Sequence, residues 1–344
     1  MSSAVAPAET ASVASGIYLR SALSPLEQLL ARDDVTDIYV NRPGEVWVET
    51  LGGMTERHTN SRLDEVVLLT LARQVAALSH QGISREHPLL SAILPGGSRV
   101  QVVAPPATRG SLALAIRKHV SAKLALSDYQ SAGAFARTTA GELRERSTIP
   151  EHIGALVRRG EFAAALAQAV RARRNILVSG GTSSGKTTFL DAVIREIPRE
   201  ERLILIEDTP ELHVEHPNHV GLVAVRGTLG EAQVTANDLV SAALRMRPDR
   251  IILGELRGVE ALAFLRAINS GHPGSMTTIH ADSPESAVEQ LVLLVLQSGT
   301  ALKREDIRQY VTETVDFFVH LSRMDGKRCI ERISFRAPDI ARQF

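Results

Sequence analysis

The sequence predicts an α/β protein in two unequal parts, a smaller α+β domain followed by a larger domain with a mainly parallel sheet. Three observations carry that prediction. The chain has 344 residues, too many for one ordinary domain and enough for two. After residue 160, short apolar runs rich in Ile, Val and Leu alternate with helix-period segments, the pattern of strand–helix–strand units. Before residue 121 the runs are shorter, alternate in polarity and surround one long helical pattern, which reads as α+β.

The elements follow in order. Residues 1–16, MSSAVAPAETASVASG, contain no Lys or Arg and no apolar core, so they read as a disordered tail and not as a secretory signal. LSPLEQLLARDD (23–34) is a short amphipathic helix with a Ser-Pro start. DIYVNRPGEVWVE (37–49) is two alternating runs around Arg-Pro-Gly, a β-hairpin. RLDEVVLLTLARQVAALSHQG (62–82) is a long helix closing at Gly82. SAILPGGSRVQVVAPP (91–106) and SLALAIRKHV (111–120) add strands, which places the first domain at 17–120. Residues 121–160 are turn-rich, arginine-rich and weakly periodic, as expected of a solvated linker with one or two short helices, or of a hinge that sets how the domains pack. The second domain, 161–344, opens with the helix EFAAALAQAVRARR. It continues through the strand patterns NILVSG, RLILIED, RIILGEL and SMTTIH. The absence of any repeat of 20–50 residues excludes a solenoid.

Composition narrows the function. Hydrophobic residues make up 44%, enough for packed cores, but aromatics only 4%, so the cores are aliphatic. Lys+Arg and Asp+Glu are both 39, and the resulting zero net charge argues against bulk electrostatic binding of nucleic acid. The single cysteine, Cys329, excludes an internal disulfide and a cysteine zinc site. The most apolar run, LVLLVL (291–296), is far too short to span a bilayer. A soluble, cytoplasmic protein without a transmembrane segment is expected.

The stretch VSGGTSSGKTTF (178–189) carries the chemistry. The pattern G-x-x-x-x-G-K-[ST] is met by Gly180, Gly185, Lys186 and Thr187, with Gly181, Thr182, Ser183 and Ser184 inside the loop and Thr188 after it. Glycines let successive N–H groups turn inward on phosphate oxygens. Lys186 would reach the β- and γ-phosphates, and the Thr187 hydroxyl would ligate Mg²⁺. NILVSG supplies the strand before the loop, and KTTFLDAVIREI the helix whose N-terminus favours an anion. A chance glycine-rich turn would lack both flanks. The expected cofactors are ATP and Mg²⁺.

Three later strand patterns end in polar groups: RLILIEDTPEL in Glu207 and Asp208 with Glu211 beyond, RPDRIILGELRG in Glu255, and GHPGSMTTIHA in His280. In open α/β sheets ligands sit at the carboxyl ends of strands, where the phosphate loop also lies. Hydrolysis needs an oriented water and an acceptor for its proton, which suits a carboxylate beside Mg²⁺. Glu255 is the better candidate because an apolar strand delivers it rigidly. It would also share the metal with Thr187. Glu207 is its partner or the alternative base. Asp208 and Glu211 read equally as loop caps. His280 is either a γ-phosphate sensor or a hydrogen-bonded core histidine. HVEHPNH (213–219) sets His213, His216 and His219 close together, but Pro217 interrupts any helix that would align them on a zinc ion.

GGTSSGKTT, LIEDTPEL, IILGELRG and GHPGSMTTIHADSPESAVEQL occur here in the order found in the secretion ATPases. The chain therefore resembles the motors of type II secretion, type IV secretion and type IV pili, whose corresponding segments are the Walker A, Asp box, Walker B and His box. YVNRPGEVW and GGSRVQVVAPP…SLALAIRK resemble that family's N-terminal domain, nearest the branch of the eleventh VirB component, the DNA-transfer branch of type IV secretion. The resemblance covers about residues 20–325. It implies a RecA-like ATPase domain in a homohexameric ring, with ATP bound between the two domains. Hydrolysis would energise DNA or protein transfer across the bacterial envelope, or pilus assembly. It also implies other type IV secretion components as partners, peripheral association with the inner membrane, and no requirement for nucleic acid. N-terminal arginines reach the phosphates in this family; the matching positions are Arg99 and Arg117, with Arg245 and Arg247 weaker candidates. The linker is longer than in the more compact members, which leaves open whether the first domain packs on its own ATPase domain or a neighbour's. The alternative is a nucleic-acid translocase or helicase on a related core, against which stand the neutral charge and only 13 aromatic residues.

Overall fold

The Arg-Pro-Gly hairpin opens the first domain's sheet. Strands β1 (Val35–Val40) and β2 (Glu45–Thr50) pair antiparallel with Ile38 opposite Val48, and Gly44 takes φ 77 in the turn. In the computed structural model, residues 18–118, 125–131, 133–136, 138, 149–225, 230–324 and 327–336 are described. The expected tail, 1–16, and much of the expected linker lie outside them. A 3₁₀ turn (Ser24–Leu26) and helix α1 (Glu27–Ala31) precede β1. The long helix α2 (Glu65–Leu78) starts where Asp64 accepts the Val67 N–H at 2.8 Å. It stops four residues before Gly82, because His80 takes the left-handed conformation (φ 53) that ends it. Strands β4 (Leu89–Ile93), β5 (Arg99–Val103) and β6 (Ala113–Arg117) complete an antiparallel sheet with β3 (Thr55–Thr59), in the order β3-β2-β1-β6-β5-β4. The polar TERHT of β3 gave no strand signal, since an edge strand needs no apolar alternation.

Period-two alternation gives this sheet two jobs. Ile38, Val48, Val100, Leu114 and Ile116 pack with Leu68, Leu71 and Val75 of α2. Tyr39, Trp47, Val103, Ala113 and Ala115 point the other way and belong to the core of the second domain. The two domains are therefore joined by a hydrophobic interface, not merely tethered.

The second core begins earlier than the linker prediction implies. A helix α3 (Leu126–Ser131) lies in the linker, but α4 (Glu151–Arg158) contributes buried Ile153, Leu156 and Val157 alongside Ala165, Leu166 and Val170 of α5 (Phe162–Arg171). The short helix α4, directly behind Pro150, carries too little pattern to separate from linker by eye, whereas α5 is the helix expected to open the second domain.

The second sheet comprises β7 (Ile176–Gly180), β8 (Leu203–Glu207), β9 (His219–Val223), β10 (Arg250–Leu256), β11 (Met276–Ile279), β12 (Phe317–Met324) and β13 (Lys327–Phe335). Its order is β13-β12-β7-β11-β10-β8-β9, parallel throughout except that β13 returns antiparallel to β12. Helices α6 (Lys186–Ile194), α7 (Ala236–Ala243), α8 (Glu260–Asn269), α9 (Pro284–Leu296) and α10 (Arg304–Thr314) cover its two faces, so this is the predicted α/β sheet with a mainly parallel register. At the amino end of β10, Arg250 is fully buried and bonded to both carboxylate oxygens of Glu201 at 2.7 and 2.8 Å. Removing Glu201 would strand that charge at a cost of about 3–5 kcal/mol.

Register decides what meets at the carboxyl end. Ile279 of β11 pairs with Ser179 of β7 on one side and Leu256 of β10 on the other, and Leu253 pairs with Ile206 of β8. The loop after β7, His280 after β11, Glu255 on β10 and Glu207 on β8 are thereby set along one edge.

Candidate active site

The loop from Gly180 to Lys186 is built by close approach. A Cβ on Gly180 would lie 2.5 Å from both the Leu321 carbonyl oxygen and the Ser184 hydroxyl, so only glycine fits. Ser183 (φ 61) and Gly185 (φ 93) are both left-handed, which turns consecutive N–H groups to one side before α6 begins. A non-glycine residue in that conformation is a strained backbone held by its surroundings. Lys186 folds over the loop, its Nζ donating to the carbonyls of Gly180 (2.9 Å) and Gly181 (3.1 Å). Burial lowers its pKa, and the nearby Glu255 carboxylate opposes that shift. The buried Ser184 hydroxyl makes no hydrogen bond among the described residues.

Around this loop lies a cleft of about 460 Å³ lined by Thr182–Thr188, Glu207, Asp208, Glu211, Glu255, Thr278, His280, Arg257 and Arg328. It brings together the loop and all three strand-end groups named from the sequence. Glu255 is bound by Arg257, whose Nε donates to it at 2.6 Å and whose Nη1 lies 3.9 Å from Asp208. That pairing with Glu255 raises the guanidinium pKa. Glu207 is only 5% exposed and already engaged. Its Oε1 accepts the backbone N–H groups of Glu211 and Leu212, each at 2.9 Å, and its other oxygen forms an ion pair with Arg109. Glu207 thus ties down the loop that follows β8. Asp208 and Glu211 face the cleft on that loop, and His280 stands exposed at its rim.

The arginines named from the sequence lie apart from the cleft of their own chain. Arg99 and Arg117 face each other across β5 and β6 and are exposed; neither lines the cleft of its own chain. The reason is direction. They sit at the far end of the β5–β6 hairpin, while its loop end docks on the second domain, and five strand residues span roughly 16 Å. Arg245 and Arg247 hold the domain interface: Arg245 donates to the Ser91 hydroxyl at 3.0 Å and Arg247 to Glu49 at 2.8 Å. Beside them Arg202 lies 4.1 Å from the centre of the Tyr39 ring, and burial pushes its guanidinium pKa down to about 10.

The three histidines of 213–219 have separate partners. His216 bonds the Ile197 carbonyl, His219 the His216 carbonyl, and the exposed His213 leans on Asp191. Sequence reasoning missed Arg109, Arg257 and Arg328. Arg257 could have been found, two residues beyond Glu255 and on the same face of the chain. Arg328, whose Cδ would meet a Cβ on Gly185 at 3.0 Å, comes from a hairpin with no motif.

The donor set fits a nucleoside triphosphate with a divalent cation. A left-handed N–H cradle and an ammonium meet phosphate oxygens, while the Thr187 hydroxyl and the Glu255 carboxylate offer the hard oxygen ligands that Mg²⁺ takes.

Comparison with known proteins gives the same answer from another direction. The family described as "Type II/IV secretion system protein" matches residues 20–334. The type IV secretion system protein VirB11 of Bartonella henselae is 38% identical over 326 residues, 91% of each chain. VirB11 of Brucella suis is 41% identical over 305 residues, covering 87% of this chain and 84% of that protein. The crystal structure of the VirB11 ATPase from the Brucella suis type IV secretion system, in complex with sulphate, superposes with a TM-score of 0.88 at 38% identity, over 95% of this chain and 96% of the other. The phosphate loop, the strand-end carboxylates and the coverage of these matches agree: this chain belongs to the type II/IV secretion system protein family.

Proposed function

We propose that the chain is the ATP-hydrolysing motor subunit of a type IV secretion system, and that it works as a homohexamer in which each site is completed by a neighbouring copy. The carrying observation is the single cleft that holds a bare-glycine phosphate loop, Lys186, Thr187 and Glu255 together. The loop N–H groups and Lys186 bind and orient the β- and γ-phosphates. Glu255 orients the attacking water and accepts its proton, and Glu207 holds the loop that closes the site. Thr187 and Glu255 would hold Mg²⁺, which would supply neutralisation of charge developing on the phosphates. His280, at the rim, is placed to report the presence of the γ-phosphate.

The need for a neighbour follows from charge. Arg99 and Arg117 stand directly opposite on adjacent strands, and the one carboxylate facing them, Asp37 opposite Arg117 on β1, leaves a net positive edge. Like charges so placed repel, and an anion between them relieves the repulsion. In a ring that anion is the γ-phosphate in the next subunit's cleft. An arginine supplied from outside is worth ~10³–10⁵ in rate for such a reaction. The motor would act at the cytoplasmic face of the inner membrane beside other secretion components, moving DNA or protein. Among the described residues no helix is long and apolar enough to cross a membrane.

Phosphate release and particle mass, measured on the same sample with and without ATP, test this reading. Hydrolysis by a six-subunit particle is expected. Full turnover by a monomer would overturn it.

A further inference from the structure

We propose that Arg109 is a positioning residue: it makes the loop after Glu207, and with it ATP turnover, depend on docking of the first domain's β5–β6 loop against strand β9. The inference rests on the ATPase reading of the cleft.

The docking is a strand-like contact. β9 is the outermost strand of the second sheet, and the loop between β5 and β6 covers it. Thr108 bridges antiparallel to Leu222, the Arg109 N–H donates to the Gly221 carbonyl at 2.9 Å, and the Val223 N–H donates to Ala107 at 2.9 Å. The backbone of Arg109 is therefore fixed by the sheet edge, and its side chain leaves from a defined point. It then crosses Gly221, where a Cβ would collide with the Arg109 side chain; the bare glycine opens the way to Glu207.

The guanidinium meets two things there. It pairs with Glu207, and its Nη1 donates to the Leu212 carbonyl at 3.0 Å. Glu207 in turn receives the Glu211 and Leu212 N–H groups. The next residue, His213, donates its N–H to Asp191 on α6 at 2.9 Å. The segment 208–212 is thus held by Arg109 at its carbonyl side, by Glu207 at its N–H side and by the phosphate-loop helix at its end. Asp208, Thr209 and Glu211 of this segment line the cleft. Without Arg109, the desolvated Glu207 carboxylate keeps two backbone donors but loses its counter-charge, and the segment must rearrange to let water reach it. Any movement of the first domain that lifts the β5–β6 loop from β9 would withdraw the guanidinium, so docking and turnover are coupled through one side chain.

The test uses the full chain, with Arg109→Ala and Arg109→Lys, and reads kcat and KM for ATP together with hydrogen exchange at the Glu211 and Leu212 amides. Arg109→Ala is expected to lower kcat by about 10²-fold, the scale of a misplaced reacting group. KM should change far less, since the phosphate loop is untouched, and the two amides should exchange faster. Should Arg109→Ala not fold, Arg109→Lys decides. It keeps the charge beside Glu207 but cannot also reach Leu212, so a loss of about tenfold in kcat with the same exchange signature is expected. Wild-type kcat in either folded variant, or a loss of kcat with both amides protected as in wild type, would overturn the proposal. A chain without ATP turnover in its wild-type form would instead count against the ATPase reading itself.

Discussion

Lys186→Ala should abolish ATP turnover, by ~10³-fold or more, in a protein that remains folded. The side chain is half-buried, but its ammonium holds only the carbonyls of Gly180 and Gly181 and no carboxylate, so the core loses nothing when it is removed. What disappears is the one positive charge inside the loop, already partly stripped of water and therefore strong toward phosphate. Thermal unfolding should shift by a few degrees at most, and residual nucleotide binding should be weak. Wild-type phosphate release from the purified, folded variant would contradict the assignment of the loop.

Glu255→Gln should bind ATP and hydrolyse it slowly, with turnover reduced by about 10²–10⁴-fold. Glutamine has nearly the same shape, so the cleft keeps its form, but the group can no longer take the proton of the attacking water. The structure separates this residue from Glu207 more sharply than the sequence did. Glu207 is buried with both oxygens committed, one to two backbone N–H groups and one to Arg109. A glutamine there retains an acceptor for the N–H groups and loses only the ion pair, so Glu207→Gln should show the smaller defect in kcat. Measuring both variants side by side checks the division of labour. A larger loss in Glu207→Gln, with Glu255→Gln near normal, would exchange the two roles.

The strands that carry the cleft were legible because each is a short apolar run ending in a chemically conspicuous residue. Gly180, Glu207, Glu255 and His280 each mark such an end, and the parallel register brings the ends to one edge. Strands that carry no such mark were not read. β9 begins on the last histidine of a cluster, β12 mixes aromatics with His320 and Arg323, and β13 is largely exposed with four charged residues among nine, as an edge strand can be. Helix α4 was absorbed into the linker because eight residues between Pro150 and Arg159 give little more than two turns of pattern. The arginines were the least legible. A guanidinium is long, and its target depends on how two domains dock, which no local pattern encodes. Arg99 and Arg117 were picked out by resemblance, yet the first-domain arginine that contacts Glu207 is Arg109, on the loop between their strands.

The central claim is that one subunit's cleft is finished by another subunit's arginines, and subunit mixing measures it most directly. Lys186→Ala chains have an inert cleft and intact Arg117; Arg117→Ala chains have an intact cleft and an inert donor edge. Each alone should be nearly inactive. In co-assembled rings at equal proportions, about one site in four pairs an intact cleft with an intact donor, so phosphate release should recover to about a quarter of the wild-type rate. No recovery above the sum of the two separate variants, in rings shown by mass to contain both, would contradict the account and return the completing charge to the same chain.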